Sequence, residues 1–289
     1  MSSGNFSLAS KVKLPNGKLM PQIQLGLYMM APRATTTAVT WALAAGYRGF
    51  DNAQAYLKEK RVGRAIRDFI STPLYNTQGL VREDVFYTSK LASNNTSYQV
   101  VRRSIKRSVD TCGLGYIDLF LLHSPYGGRD ARLTSWRAVE DAIDDGEVRS
   151  GGVSNYGVRH IEELMASNPR ILPAVNQIEV HPFNTQTAIR ATCAKYGIVV
   201  QAYAPLARAL RMKHPTIVEL SKRYSCTPAQ LLVRWSLQHG LVPLPKSVKR
   251  KRLLENAKIG GFEISDTDMR KMDMLDEKLV TDWDPTDTP

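Results

Sequence analysis

The chain has 289 residues, of which 43% are hydrophobic and 23% are charged, and this balance favours a globular protein over a disordered one. It carries 39 basic and 27 acidic residues, a net charge of +12, which would attract nucleic acid, an acidic membrane or a phosphorylated cofactor alike. The sequence contains no recognition helix, zinc finger or aromatic RNA-binding strand, so a nucleic-acid partner is not expected.

The first predicted element is a hairpin. Residues Pro15 to Lys18 supply a turn between two short strands at 11–14 and 19–23. Eight further short apolar runs follow, and amphipathic stretches separate them, so we predict each run as a β-strand. These strands are 24–28, 47–51, 85–90, 117–123, 149–153, 174–180, 198–203 and 241–245.

Helices are predicted between the strands. The first begins at threonines whose hydroxyls can cap it and ends at Gly46, and the third ends at Gly113. The predicted helices are 37–45, 59–70, 100–112, 133–145, 159–166, 187–196, 228–238 and 252–258. Alternating strands and helices form right-handed βαβ units around a parallel sheet, and eight such units predict a (β/α)₈ TIM barrel. No linker divides the chain, so one domain over 1–289 is expected.

The N-terminal residues and the cysteines indicate the compartment in which the protein works. The first ten residues are mostly polar and show no apolar stretch after a basic start, and no apolar run reaches membrane-spanning length, so we expect a cytoplasmic protein with no membrane partner. Cys112, Cys193 and Cys226 are odd in number and far apart, which indicates reduced thiols.

The short C-terminal tail, residues 281–289 with Trp283, is predicted to lie irregularly over the barrel, and a frayed terminus is the open alternative.

Polar residues stand at the carboxyl ends of three neighbouring predicted strands, where a barrel of this type places its active site. Asp51, Lys90 and His123 end these strands, and Tyr56 follows the first of them. Tyrosine has an unperturbed pKa of about 10, and a nearby ammonium group lowers it toward the range of a useful proton donor. A carboxylate would fix the ammonium, and a histidine could orient a substrate oxygen. This set predicts general acid catalysis.

The segment 46–63, GYRGFDNAQAYLKEKRVG, resembles the aldo-keto reductase signature around the catalytic acid and tyrosine. Two positions depart from the family pattern. Asn52 stands where alanine or a small hydroxyl residue is common, and Ala92 stands where an aromatic residue is frequent, which puts the shape of the substrate pocket in doubt. Further segments resemble the family in its own order, at 88–91, 118–125, 152–156, 174–182, 201–206 and 244–256.

The resemblance implies a fungal-type NADPH-dependent enzyme. Tyr56 would be the general acid, Lys90 would lower its pKa, Asp51 would pair with Lys90, and His123 would orient the substrate. Tyr28 and Trp283 are further candidates for the substrate mouth. The implied cofactor residues are Ser154, Asn155 and Gln177 at the carboxamide, Tyr203 stacked on the nicotinamide with Pro205 and Leu206 beside it, Lys246, Ser247 and Arg252 at the 2′-phosphate, and Glu255 and Asn256 near the adenine.

The expected function is NADPH-dependent reduction of aldehydes and ketones, including α-keto esters or amides, to alcohols by a monomer or weak dimer. A regulatory subunit that keeps the barrel and binds NADPH without turnover is the alternative. A metal-dependent hydrolase would have to bind its ion with Asp51, His123, Glu179 and His181, but the chain has no His-X-His motif, and we expect no metal. His181 is expected to be structural.

No Gly-X-Gly-X-X-Gly opens a helix, which disfavours a doubly wound dinucleotide fold.

Overall fold

The computed structural model describes residues 6–289. Its first element is the predicted hairpin, in which β1 (Lys11–Lys13) pairs antiparallel with β2 (Leu19–Pro21). Leu14 and Met20 from this hairpin pack against residues at the amino-terminal ends of the main strands, among them Phe86 and Val175. The hairpin therefore covers the bottom of the sheet, opposite to the end where the active site is predicted.

The main sheet has eight parallel strands in sequence order. Backbone hydrogen bonds from Gln24 N to Pro243 O (3.3 Å) and from Gly26 N to Pro245 O (3.2 Å) join its two edges. The eight predicted strands and their parallel order are confirmed and are consistent with the (β/α)₈ fold. The strands are β3 (Leu25–Gly26), β4 (Gly49–Asp51), β5 (Phe86–Leu91), β6 (Leu119–Leu122), β7 (Gly151–Ser154), β8 (Val175–Glu179), β9 (Val199–Tyr203) and β10 (Val242–Pro243).

Helices follow the strands, and their apolar faces pack on the outside of the sheet. All eight predicted helices are present, and two further short helices, α7 and α10, were not predicted. The helices are α1 (Pro32–Ala45), α2 (Glu59–Ser71), α3 (Tyr98–Cys112), α4 (Arg129–Asp144), α5 (Val158–Ala166), α6 (Thr187–Lys195), α7 (Pro215–Arg223), α8 (Pro228–Gln238), α9 (Arg250–Ala257) and α10 (Asp266–Asp273). No helix within residues 6–289 is both long enough and apolar enough to cross a bilayer.

The start of α1 differs from the prediction. No side chain caps the helix, and Pro32 occupies its first turn, where a proline is tolerated because the first backbone N–H groups have no partner within the helix. The hydroxyl of Thr35 instead donates back to the carbonyl of Ala31 at 3.0 Å. The helix ends as predicted at Gly46, whose φ of 101° is a left-handed conformation that suits glycine.

Helices α2 and α3 lie unusually close to one another at Gly63. A Cβ atom at this position would lie 1.8 Å from the carbonyl oxygen of Cys112, so only glycine fits. Because α2 begins three residues after Tyr56, this packing holds the helix that directly follows the predicted general acid.

Candidate active site

The four predicted catalytic residues come together at the carboxyl end of the sheet. Asp51 ends β4, Lys90 lies in β5, and His123 directly follows β6, while Tyr56 ends a short 3₁₀ turn that follows β4. Lys90 Nζ donates to Asp51 Oδ2 at 2.8 Å and lies 3.4 Å from the phenolic oxygen of Tyr56. The side chains of Tyr56 and Lys90 therefore face each other, as a pair acting in proton transfer requires.

Lys90 is completely buried, and its ammonium group is fully occupied. In addition to Asp51 and Tyr56, it donates to the carbonyl oxygen of Asn52 at 2.9 Å. The side chain of Asn52 donates to the hydroxyl of Tyr87 and does not line the cleft. The first family departure, Asn52, therefore does not contact the pocket, whereas the second one, Ala92, does line the cleft, where its small side chain leaves space.

The pKa of Tyr56 moves in the direction opposite to the predicted one. Burial raises the pKa of the phenol well above its usual value, and the Asp51 carboxylate raises it further. Burial also lowers the pKa of Lys90, which its partner Asp51 opposes. The ammonium of Lys90 favours the phenolate, but a carboxylate 2.8 Å away compensates part of its charge, so burial decides the direction of the shift. Tyr56 is thus fully protonated near neutral pH.

His123 is neutral. Burial, together with the nearby Lys90, lowers the pKa of its imidazole from 6.5 to about 3. The ring lies beside Tyr56, with centroids 5.8 Å apart and planes at 71°, and 6.3 Å from the ring of Trp283. A neutral imidazole has one N–H donor and one acceptor nitrogen, so it can orient a carbonyl oxygen without adding charge to the site.

Gln177 has a contact that the sequence did not reveal. Its Nε2 donates to Asp51 Oδ1 at 2.7 Å and to Gln201 Oε1 at 2.8 Å, across the interior of the sheet. Both amide hydrogens are therefore used within the protein. Gln177 holds the second oxygen of Asp51, and only its carbonyl oxygen remains to accept a bond from a ligand in the cleft.

One cleft of about 1070 Å³ connects the catalytic residues with the start of α9. This volume is at the upper end of the range for ligand sites and suits a large ligand such as a dinucleotide. All of the predicted cofactor residues line it, namely Ser154, Asn155, Gln177, Tyr203, Pro205, Leu206, Lys246, Ser247, Arg252, Glu255 and Asn256.

At the catalytic end of the cleft, the predicted carboxamide residues are tied to one another. Asn155 has a left-handed φ of 60°, which asparagine tolerates. Its Nδ2 donates to the carbonyl oxygen of His123 at 3.0 Å, and its Oδ1 accepts from the hydroxyl of Tyr203 at 2.9 Å. Ser154 Oγ donates to the backbone oxygen of Gln177 at 2.8 Å. These bonds fix the side chains that would contact a nicotinamide.

At the far end of the cleft, Lys246 and Arg252 flank the start of α9 together with Ser247. A further cation, Lys58, was not predicted and does not belong to this group, because it does not line the cleft and its Nζ lies 5.6 Å from the ring centroid of Tyr56. Its Nζ is buried and donates to two backbone carbonyls, and both burial and the charge of Lys246 lower its pKa. A phosphomonoester requires cations and hydrogen-bond donors. Lys246, Arg252, the hydroxyl of Ser247 and the start of α9 provide them, so this end of the cleft fits the 2′-phosphate of NADPH.

Aromatic side chains surround the mouth of the cleft. Tyr28 lies with its ring 5.1 Å from that of Tyr56, and Trp283 lies 5.6 Å from Tyr126, which the sequence did not single out. Both predicted substrate residues, Tyr28 and Trp283, line the cleft. Their flat apolar faces would favour a substrate with an aromatic or apolar group on its carbonyl carbon.

His181 has a structural partner. Its Nε2 lies 3.0 Å from Glu179 Oε1, and the two oxygens of Glu179 accept from the backbone N–H of Thr281 at 3.1 and 3.2 Å. The tail, residues 281–289, is thereby fixed over the barrel rather than frayed. Among residues 6–289, no three His, Cys, Asp or Glu side chains are grouped as a metal site would require.

Comparisons with known proteins extend over nearly the whole chain. A model described as the aldo/keto reductase family matches residues 23–277. An uncharacterized oxidoreductase of Schizosaccharomyces pombe is 43% identical over 282 residues, which are 98% of this chain and 99% of that protein. A glyoxal reductase of Bacillus subtilis is 37% identical over 272 residues, 94% of each chain.

Solved structures agree with the sequence comparisons. The crystal structure of a Bombyx mori aldo-keto reductase in complex with NADP has a TM-score of 0.86 and 30% identity, and the match covers 96% of this chain and 95% of that chain. An aldose reductase from Schistosoma japonicum has a TM-score of 0.84 and 32% identity, with 93% of each chain covered. The resemblance seen in the sequence is confirmed, and the chain belongs to the aldo/keto reductase family of oxidoreductases.

Proposed function

We propose that this protein reduces aldehydes and ketones to alcohols with NADPH and that Tyr56 is the general acid. The observation that carries the proposal is the contact of Lys90 Nζ with Tyr56 (3.4 Å) and Asp51 (2.8 Å) at one end of a cleft whose other end presents Lys246 and Arg252. A proton donor and an anion site therefore share one cleft, as a reductase with a phosphorylated cofactor needs.

Bound NADPH would supply a hydride to the carbonyl carbon of the substrate. Tyr56 donates its phenolic proton to the carbonyl oxygen, a step that typically contributes about 10²- to 10⁴-fold to the rate. Lys90 stabilises the phenolate that remains, because its ammonium lies 3.4 Å from that oxygen. Asp51 holds the ammonium in place, and the neutral imidazole of His123 donates a hydrogen bond that orients the substrate oxygen.

The cofactor would lie along the cleft. Ser154, Asn155 and the free carbonyl oxygen of Gln177 would bind the carboxamide, and the ring of Tyr203 would stack on the nicotinamide. Pro205 and Leu206 line the cleft beside it. At the far end, the side chains at the start of α9 would bind the 2′-phosphate, and the following turn of that helix would hold the adenine. The residues at this end are Lys246, Ser247, Arg252, Glu255 and Asn256.

We propose a broad range of aldehydes, α-keto esters or amides and related ketones as the substrate class, including aromatic ones. The aromatic mouth formed by Tyr28 and Trp283 supports this proposal. So does the similarity to a protein named glyoxal reductase. The test is a panel of aromatic aldehydes, α-keto esters and dicarbonyls, with NADPH oxidation followed by absorbance. Turnover with several of them is expected. Tight NADPH binding without turnover of any substrate would instead point to a regulatory subunit.

Replacing Arg252 with alanine should weaken NADPH binding and leave NADH binding nearly unchanged, because only NADPH carries the 2′-phosphate. A charge-assisted hydrogen bond contributes about 1.5–3 kcal/mol, so we expect the Kd for NADPH to rise about 10- to 100-fold. Fluorescence titration of both cofactors measures this. Lys251→Ala is the matched control, because Lys251 lies in the same basic run but does not line the cleft. Equal weakening of both cofactors would contradict the assignment.

The pH dependence should differ between the two directions of the reaction. Because the pKa of Tyr56 is raised and that of His123 is about 3, neither group changes charge near neutrality. Reduction uses the protonated phenol, so kcat for reduction should be constant between about pH 6 and pH 9. Oxidation of an alcohol uses the phenolate, whose fraction rises with pH, so its rate should increase about tenfold per pH unit. A fall in the reduction rate above neutral pH would contradict this prediction, because it would show that Tyr56 or Lys90 loses its proton within this range.

A further inference from the structure

The tail is held on both sides of Trp283. Before this residue, the backbone N–H of Thr281 donates to both carboxylate oxygens of Glu179. After it, Pro285 and Thr286 are buried. Trp283 lies between these two anchor points, with its ring nearly perpendicular to that of His123 at an interplanar angle of 87°. The position of the indole over the site therefore depends on how the flanking backbone is fixed.

Gly157, directly before α5, is where the backbone of the tail comes closest to the barrel. A Cβ atom on this residue would lie 2.1 Å from the carbonyl oxygen of Thr286 and 3.0 Å from its carbonyl carbon. The φ of Gly157 is −79°, which any residue can adopt. The absence of a side chain at this position is thus required by the tail and not by the local conformation.

His160 joins the start of α5 to the tail through both ring nitrogens. Its Nδ1 accepts the backbone N–H of Gly157 at 3.1 Å, so Nε2 carries the hydrogen and donates to the carbonyl oxygen of Thr288 at 2.7 Å. The ring is fully buried. Because the ring is locked from both sides, the position of Thr288 is fixed relative to the helix.

Two arginines complete the attachment. Arg132 on α4 donates to the carbonyl oxygen of Pro289 at 3.0 Å, and a bidentate pair with Glu163, at 2.8 and 2.9 Å, holds its guanidinium in place. Arg159 donates to the carbonyl oxygens of Asp287 and Thr288. These bonds go to backbone oxygens, so they fix the course of the tail and do not depend on the identity of its side chains.

We propose that these four residues, Gly157, Arg159, His160 and Arg132, form a tail clasp that determines substrate specificity by fixing Trp283 beside His123. The proposal rests on the proposed carbonyl reductase function. In this arrangement the indole offers a fixed face to a flat group on the carbonyl carbon, so the clasp favours aromatic carbonyl compounds over small ones. The clasp residues position Trp283 and do not themselves contact the substrate.

The test is Gly157→Ala, in which the added methyl group must displace the backbone at Thr286. Loss of one aromatic contact should raise the KM for naphthaldehyde about three- to tenfold. The KM for methylglyoxal, which is too small to reach the indole, and the Kd for NADPH should stay within about twofold. Amide hydrogen exchange of the peptide that contains residues 281–289 should become faster, and this readout needs neither cofactor nor turnover.

Three further variants separate the clasp from a general loss of stability. Glu162→Ala removes contacts between α5 and α6 at Lys195 and Tyr196 without touching the tail, so it should change neither KM nor exchange. Arg159→Ala, an exposed position that the fold tolerates, should have a weaker effect of the same kind as Gly157→Ala. If the clasp acts through the indole, Gly157→Ala combined with Trp283→Ala should show the same KM as Trp283→Ala alone.

Each outcome of these experiments supports or overturns a different part of the proposal. Faster exchange of the tail, together with a KM increase confined to the aromatic substrate, supports the clasp. Unchanged exchange in Gly157→Ala overturns it, and faster exchange with unchanged KM values overturns its role in specificity. If the unmodified protein turns over no carbonyl compound, the proposed function fails on that observation, and hydrogen exchange still decides whether the clasp holds the tail.

Discussion

Replacing Tyr56 with phenylalanine should abolish nearly all turnover and leave NADPH binding intact. The phenyl ring keeps its place against Tyr28, 5.1 Å away, so the shape of the cleft is preserved. The variant lacks only the proton donor and the oxygen that Lys90 contacts. Since general acid catalysis is typically worth about 10²- to 10⁴-fold, we expect kcat for reduction to fall by at least that factor. Steady-state NADPH oxidation and a fluorescence titration of NADPH measure the two properties separately.

The matched control is Tyr75→Phe, the same chemical change at an exposed ring that stacks on Phe69 far from the cleft. It should leave kcat and NADPH affinity unchanged. If Tyr56→Phe kept more than about a tenth of the original kcat, another group would have to supply the proton, since an acid catalyst removed outright costs more than this. His123 would then be the first group to examine, because its ring lies beside that of Tyr56 and a neutral imidazole carries one N–H.

The strand ends explain why so much of the site could be predicted from the sequence. Parallel strands that close around one axis bring all their carboxyl ends to one face, so polar residues that end successive apolar runs must meet there. Asp51, Lys90 and His123 follow this rule, and their distances in the structure agree with it. The prediction needed only the order and direction of the strands, which the apolar pattern of each strand provides.

Contacts across the interior of the sheet could not be predicted in this way. Gln177 reaches Asp51 although the two residues are 126 positions apart, and no local pattern specifies which of several inward-facing side chains will meet. Lys58 was missed for a related reason. A lysine next to a predicted helix normally faces solvent, and only the fold shows that its ammonium is buried beneath the carbonyls of Leu27 and Met30.

The pKa of Tyr56 was predicted to be lowered and is raised, because the sequence does not show how deeply a side chain will be buried. The sequence indicated which charged groups would be near the phenol, but the pKa also depends on how much water reaches it. Burial is the largest cause of the shift, and it outweighs the effect of the Lys90 ammonium, whose charge Asp51 compensates in part. A protonated phenol at neutral pH agrees with a proton donor in reduction, so the proposed chemistry does not depend on the lowered pKa that was predicted.

Replacing Lys90 with methionine should abolish turnover and also destabilise the fold. Lys90 is completely buried and Asp51 nearly so, at 0% and 5% side-chain exposure, and methionine of similar length would leave the carboxylate unpaired. Removing one partner of a buried ion pair typically costs about 3–5 kcal/mol, because the remaining charge is neither solvated nor compensated. Urea unfolding of the variant and the unmodified protein measures this difference in the free energy of unfolding.

The double variant Lys90→Met with Asp51→Asn distinguishes the structural role of the pair from its chemical one. Asparagine keeps an oxygen that can accept the bond from Gln177 and carries no charge, so much of the lost stability should return. Turnover should not return, because no ammonium remains to stabilise the phenolate of Tyr56. Recovery of stability without activity would show that the buried pair is retained for proton transfer. If turnover returned together with stability, the ammonium would be needed only to hold the fold, and the role proposed here for Lys90 would be wrong.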